Sequence, residues 1–126
     1  MNTLPTELLK AWEKRDPACV LTTVDAQGVP NTIYVSCCGL LEPNRILICN
    51  SAFEKTLANL EAGNDQASFL FFAPDLAAYQ LKGRIRHHRD GAAYEAGQGF
   101  TKPGMVLRGV AEIEVSEVYK GGQRLL

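Results

Sequence analysis

A cation, a hydroxyl and an amide stand close together in Lys55-Thr56-Leu57-Ala58-Asn59, and that set of groups is suited to holding an anion. The apolar run Arg45-Ile46-Leu47-Ile48-Cys49 reads as a strand that feeds directly into Asn50–Ala62, which reads as a helix. Ser51 and Glu54 have the S-x-x-E spacing of a capping box, a signature of a helix start. Turning about 100° per residue places Phe53, Leu57 and Leu60 on one side and Lys55, Thr56 and Asn59 near the other. Free N–H groups and the helix dipole favour negative charge at such a start, so the expectation is a phosphate seat. The alternative is an amphipathic helix whose polar side faces water.

The rest of the chain offers little protein-borne chemistry. H-E-x-x-H, G-x-S-x-G and Walker patterns are all missing. The two histidines, His87 and His88, are neighbours on an expected strand and must diverge. The four cysteines, Cys19, Cys37, Cys38 and Cys49, include no C-x-x-C, and they are expected to be unpaired buried thiols rather than metal ligands. No catalytic residue and no metal site is assigned. Any chemistry is expected to come from a cofactor.

The elements that must position these groups follow from pattern. Thr3–Arg15 reads as an amphipathic helix with Pro5 in its first turn, and Ala18–Asp25 as a strand ended by a turn at Gly28. The second strand, Val29–Cys37, alternates Thr32, Tyr34 and Ser36 against Ile33, Val35 and Cys37. Gly39–Asn44 is expected to contain a turn before the third strand, Arg45–Cys49. Gln66–Phe72 is apolar enough to be a strand buried on both faces, broken at Pro74-Asp75. Ala77–His88 and Met105–Tyr119 are long alternating strands. The basic stripe Gln80, Lys82, Arg84 and Arg86 is expected to meet Glu112 and Glu114 across a ladder, with phosphate binding as the rival reading. Between them Asp90 caps a short helix. The tail ends in Leu125-Leu126, an apolar end expected to dock on something.

The whole chain, 1–126, reads as one domain of ordinary globular composition. A net charge of −1 makes no electrostatic case for nucleic acid or an anionic membrane. No apolar run reaches the ~18 residues of a membrane span. Met1–Pro5 has no signal-peptide character, so a cytoplasmic location is expected. Short connections and Gly/Pro turns favour a mainly β, antiparallel sheet that closes as a barrel.

Pro30-Asn31-Thr32, Asn44-Arg45-Ile46, Lys55-Thr56-x-x-Asn59, Ala78-Tyr79-Gln80-Leu81-Lys82-Gly83 and Glu114-Val115-x-Glu117-Val118-Tyr119 occur in this order. Together they resemble the FMN-binding split barrels related to pyridoxamine 5′-phosphate oxidase, over nearly the whole chain. The resemblance implies a six-stranded antiparallel split β-barrel of Greek-key type with short flanking helices. It implies a homodimer with FMN at the subunit interface. Lys55 and Thr56 would hold the FMN phosphate with Asn59 nearby; Cys49, Asn50 and Ser51 would run along the ribityl chain and ring; Asn31, Thr32, Ile33 and Tyr34 would contact the flavin. Leu125 and Leu126 would reach the neighbouring subunit's flavin. Glu54 stands where some relatives carry His, and the arginines and histidine that the true oxidases place on substrate have no match here. The expected function is a redox flavoprotein, a flavin reductase or an electron carrier with an unknown redox partner. The alternatives are a non-catalytic module for flavin, deazaflavin or haem, and a pyridoxine or pyridoxamine phosphate oxidase using Lys82, Arg84 and Arg86 as a second anion site.

Overall fold

The computed structural model describes residues 2–74 and 77–126, so the break expected at Pro74-Asp75 lies partly outside the described residues. The elements run α1 (Thr6–Glu13), β1 (Cys19–Val24), β2 (Pro30–Val35), β3 (Cys38–Leu41), β4 (Arg45–Asn50), α2 (Lys55–Glu61), β5 (Gln66–Ala73), β6 (Ala77–His88), α3 (Gly91–Gln98), β7 (Gly109–Lys120) and β8 (Gln123–Arg124). One antiparallel sheet runs in the order β2-β1-β5-β6-β7-β4-β3, with β8 added on β7. Its two end strands, β2 and β3, are separated by only Ser36 and Cys37 yet are not paired with each other. The sheet therefore curls until its ends meet at that corner and stay apart elsewhere. This is a split barrel.

The inside of the curl is filled by Leu21, Ile46, Ile48, Phe69, Leu81, Ile113 and Val115, all fully buried. Helix α1 lays Leu8, Ala11 and Trp12 on this core. The Trp12 ring stands edge-on to Phe71 at 5.0 Å, and Phe71 stacks on Tyr79 at 5.3 Å. A smaller cluster lies on the outside of the sheet. There Leu47 and Val110 pack against Ala93 of α3, flanked by Leu41, Tyr94 and Phe100.

The long strands β6 and β7 carry the sheet around its bend. Their register shifts at Lys82/Gly83, leaving Ser116 unpaired. Gly83 is required there, because a Cβ would overlap the Glu114 carbonyl. The basic stripe meets acid as expected, with Lys82 opposite Glu117, Arg84 opposite Glu114 and Arg86 opposite Glu112.

Several expectations need correction. Among the described residues the sheet has eight strands rather than six, since Cys38–Leu41 is a strand that overlaps the segment expected to contain a turn, and Gln123–Arg124 adds a short one. The turn is confined to the residues after Leu41, where Glu42-Pro43 is cis. β7 begins at Gly109, four residues later than the alternation at Met105 indicated. β5 is not buried on both faces: Phe69 and Phe71 point inward, while Leu70 and Phe72 are 40% and 52% exposed. The strand enclosed on both faces is β4, because α3 covers its outer side. Pro5 precedes α1 as its N-cap rather than lying in the first turn. Asp90 holds the N-cap position of α3 without a side-chain capping bond. The tail does dock, but on its own barrel: Leu125 N–H donates to the Val118 carbonyl at 2.8 Å, and both leucines pack on the main core.

Candidate functional site

The split between β2 and the end of β4 opens as a cavity of about 560 Å³. It is a volume typical of small-molecule and cofactor sites. β2 contributes consecutive residues from Ile33 onward through Val35, joined by Ser36 and Cys37 of the corner. Consecutive strand residues point to opposite faces, so the cavity borders the edge of β2 rather than one face. That edge has no strand partner, and its outward N–H and C=O groups are available to a ligand.

The chain leaves β4 at Asn50, and the Asn50 side chain shapes the turn into α2. Its oxygen accepts the Phe53 N–H at 2.9 Å, and its amide nitrogen donates to His87 Nε2 at 3.0 Å. Asn50 is fully buried and its backbone carbonyl accepts from Arg108 N–H at 2.8 Å. The His87 ring fits because Gly109 has no Cβ, which would overlap the imidazole. With Nε2 accepting, a neutral ring carries its proton on Nδ1, which is buried without a partner. Burial, and then the charge of Arg89, hold the His87 pKa below its usual 6.5.

This turn replaces the capping box. Helix α2 starts at Lys55, later than Ser51 and Glu54 indicated, with Glu54 at the N-cap and no side-chain capping bond. The Glu54 carboxylate is exposed and does not fold back. Phe53 lies before the helix and is buried, while Leu57 and Leu60 pack half-buried on the core.

The polar residues of α2 also separate. Lys55 is exposed on the cavity wall with no ion-pair partner among the described residues. Thr56 is 1% exposed, lines the cavity, and its hydroxyl oxygen accepts from Asn31 Nδ2 at 3.2 Å. Its O–H proton has no acceptor among the described residues and remains free to donate. Asn59 is 3% exposed and donates to Thr23 Oγ1 at 3.0 Å, tying the helix to β1. The expected polar face is thus mostly buried against β1 and β2, because the helix lies across their end.

Of the residues expected at the site, Asn31, Ile33, Tyr34, Cys49, Ser51, Lys55 and Thr56 line the cavity. Thr32, Asn50 and Asn59 do not. Thr32 shares a hydrogen bond with Thr22 on the sheet's outer face at 2.9 Å, and the other two are internal fasteners. Sequence reasoning missed Lys102 and Met105, which come from the loop after α3, and Val35, Ser36 and Cys37; Glu54, singled out beside Lys55 but given no role, also lines the cavity. Lys102 Nζ donates to Ser36 Oγ at 3.2 Å, so the loop closes the far end. No local pattern marks that loop; a lysine beside Pro103-Gly104 reads as a solvated turn.

The basic stripe lies off this cavity. Arg84 pairs with Asp65 at 3.3 Å, while Glu112 takes Arg45 at 2.7 Å and His88 at 2.9 Å. Burial pushes the Glu112 carboxyl up, but these hydrogen bonds outweigh it and hold the group below its usual range. Among the described residues no cluster of three metal-ligating side chains occurs, and no helix is long and apolar enough to cross a membrane.

The architecture and the placement of the cavity have parallels. The family model for pyridoxamine 5′-phosphate oxidase matches residues 5–120, and the chain belongs to that family. No curated protein matches. Among solved structures, HupZ of Group A Streptococcus is similar with a TM-score of 0.81 at 23% identity, over 96% of this chain and 95% of that one. An FMN-binding protein of Syntrophomonas wolfei gives 0.65 at 17% identity, over 95% and 92%. An F420 reductase gives 0.63 at 14% identity, over 84% and 91%. At these identities the likeness is one of fold.

Proposed function

We propose that the chain is an FMN-binding redox flavoprotein, a flavin reductase or electron carrier, that works as a homodimer. The observation that carries this reading is the cavity, with Lys55 (unpaired among the described residues), the Thr56 hydroxyl and Asn31 at one end and the free edge of β2 along its length. The residues fit the cofactor. Lys55 neutralises a phosphate, Thr56 donates to it while Asn31 holds the hydroxyl in place, and β2 backbone groups meet the polar edge of the ring. Cys49 and Ser51 line the path between. Glu54 faces the same mouth, and its charge favours a ligand whose phosphate sits on the Lys55 side.

When bound, FMN supplies hydride and electron transfer. The protein's part is to bind, orient and shield it. The row Tyr34, Val20 and Leu70, in register across β2, β1 and β5, supports the dimer, because Tyr34, Leu70 and the nearby Phe72 are exposed. Tyr34 belongs to both this row and the cavity wall, so a second subunit on that face would also close the site. An oxidase using the basic stripe has less support, because those charges face acidic partners and lie away from the cavity.

The visible spectrum of the purified protein, followed by FMN titration, is the test. Yellow protein, or stoichiometric uptake of FMN, is the expected result. Colourless protein with no uptake refutes the reading. Bound flavin that no nicotinamide donor reduces and no acceptor reoxidises would leave a binding module instead.

A further inference from the structure

Two thiols of this chain stand on the cavity wall, and neither is needed to hold a phosphate. Cys37 sits at the corner where β2 gives way to β3, and Cys49 near the end of β4. The β3–β4 ladder pairs Cys38 with Ile48, and one step further the Cys49 N–H donates to the Cys37 carbonyl at 2.8 Å. The two residues thus face each other one step beyond the last ladder pair, joined by that one backbone hydrogen bond. In that relation side chains share a face and Cα atoms lie about 5.5 Å apart. That spacing is inside the range of roughly 4.4–6.8 Å that a disulfide spans. Cys37 is half-buried and reached from the cavity, whereas Cys49 is only 5% exposed.

We propose that Cys37 and Cys49 form a reversible disulfide site on the cavity wall, closed by hydroperoxides and reopened by dithiols, and that closing it lowers the affinity for FMN. The affinity half rests on the flavin reading; the disulfide itself does not.

The roles of the two sulfurs differ. Burial, and then the charge of Cys37, push the Cys49 thiol up to about 11, so it stays protonated and donates to the Gly97 carbonyl at 3.2 Å. Cys37, the sulfur reached from the cavity, is the group that attacks, giving up its proton as it does so. Its sulfur takes the terminal oxygen of the hydroperoxide, the O–O bond breaks, and the alkoxide leaves as an alcohol after taking a proton. Cys49 then swings off Gly97, loses its proton and attacks the Cys37 sulfenic sulfur. The S–S bond forms, the S–O bond breaks and water leaves. Two thiols are oxidised by two electrons and one hydroperoxide is reduced. A dithiol reverses the bond by exchange. Closing it pins the Cys37 side chain to β4 on the cavity wall, so that both sulfurs are fixed where they border the space a flavin would occupy.

The other two cysteines make a competing pair. The neighbouring Cys38 thiol is the main cause that lowers the Cys19 pKa, and the same contact raises that of Cys38. Both lie in the core beneath α1, 0% and 5% exposed, and neither opens on the cavity.

The test treats the full chain with cumene hydroperoxide, blocks remaining thiols by alkylation, and maps cross-linked peptides. A Cys37–Cys49 link, absent in Cys37→Ser and in Cys49→Ser and removed by dithiothreitol, is expected. FMN titration of the oxidised protein should show a Kd raised about tenfold or more, restored on reduction and unchanged by peroxide in Cys37→Ser. A link mapping to Cys19–Cys38, or Cys37 driven to sulfinic acid without any link, overturns the proposal. Equal FMN affinity of the linked and reduced forms overturns its affinity half. Reduced wild-type protein that takes up no FMN overturns the flavin reading, while the cross-link is still read without flavin.

Discussion

Lys55 and Asn59 lie on the same short helix in opposite settings, one exposed on the cavity wall and the other buried against β1, so paired alanine variants make a demanding test. Asn59 is buried with its amide on the equally buried Thr23 hydroxyl. Asn59→Ala removes that hydrogen bond and strands Thr23 Oγ1, a change that costs about 1–3 kcal/mol. For a domain of this length one kcal/mol moves the midpoint by roughly 3–5 °C, so a Tm loss of roughly 6–10 °C is expected for a mid-range cost. Lys55 is exposed and unpaired among the described residues, so Lys55→Ala should leave Tm nearly unchanged, within about 0.5 kcal/mol. Binding should show the reverse. Losing one charge-assisted contact to a phosphate costs about 1.5–3 kcal/mol, roughly ten- to over a hundredfold in FMN Kd. The Asn59→Ala protein, assayed well below its midpoint, should bind FMN within a few-fold of wild type. Calorimetry and fluorescence titration on the same samples read both axes. An Asn59→Ala variant that keeps its Tm and loses FMN would refute the assignment of Asn59 as a fastener. Unchanged affinity in Lys55→Ala would put the phosphate elsewhere.

Acid should weaken the turn at Asn50. Because burial keeps the His87 pKa below 6.5, the unfolded chain takes up a proton that the folded one refuses as pH falls through about 6.5. Stability is therefore full above that pH and declines below it until folded His87 itself protonates; Tm measured from about pH 7.5 to about pH 6 should fall, and by less in His87→Gln. Protonation of the folded protein's His87 also sets an N–H against the Asn50 amide, so FMN affinity should weaken only at lower pH, once pH falls through the depressed folded-state pKa. Gly39→Ala places a Cβ inside the Phe100 ring and should cost about 1–3 kcal/mol by overpacking, read as a lower urea midpoint. Deleting Leu125 and Leu126 removes apolar packing and the Leu125–Val118 bond from the free chain's own core. That should lower the Tm of the flavin-free protein, whereas tail leucines that served a neighbour's flavin alone would leave it unchanged.

Alternation, turn chemistry and composition were enough to place most of this fold. β1, β2, β4, β5 and β6 begin within a residue or so of where the pattern puts them, because a strand with one inward face writes a period of two into the chain. Gly28 and Gly63 do take positive φ at their turns. The pairing of the basic stripe with the acidic one was legible for the same reason, since register follows from the alternation of both strands. Local pattern put Lys55 and Thr56 together as an expected anion seat, and the family resemblance alone added Asn31 and Cys49; all four line the cavity.

Whatever depended on which surface covers which needed the tertiary structure. An apolar run does not say whether its outer side is enclosed, so the doubly buried strand was assigned to Gln66–Phe72 when α3 encloses Arg45–Asn50 instead. Ser51 and Glu54 match a capping box in sequence, but the buried Asn50 side chain takes the Phe53 N–H and delays the helix to Lys55. Thr56 and Asn59 are polar and still buried, because α2 lies across the end of β1 and β2 and their partners, Asn31 and Thr23, are far away in sequence. The polar residues around Lys55, expected to hold an anion, could be read from the chain alone. Only the curl of the sheet, which brings Lys102 of a distant loop onto Ser36, decided that they sit at one end of a cavity.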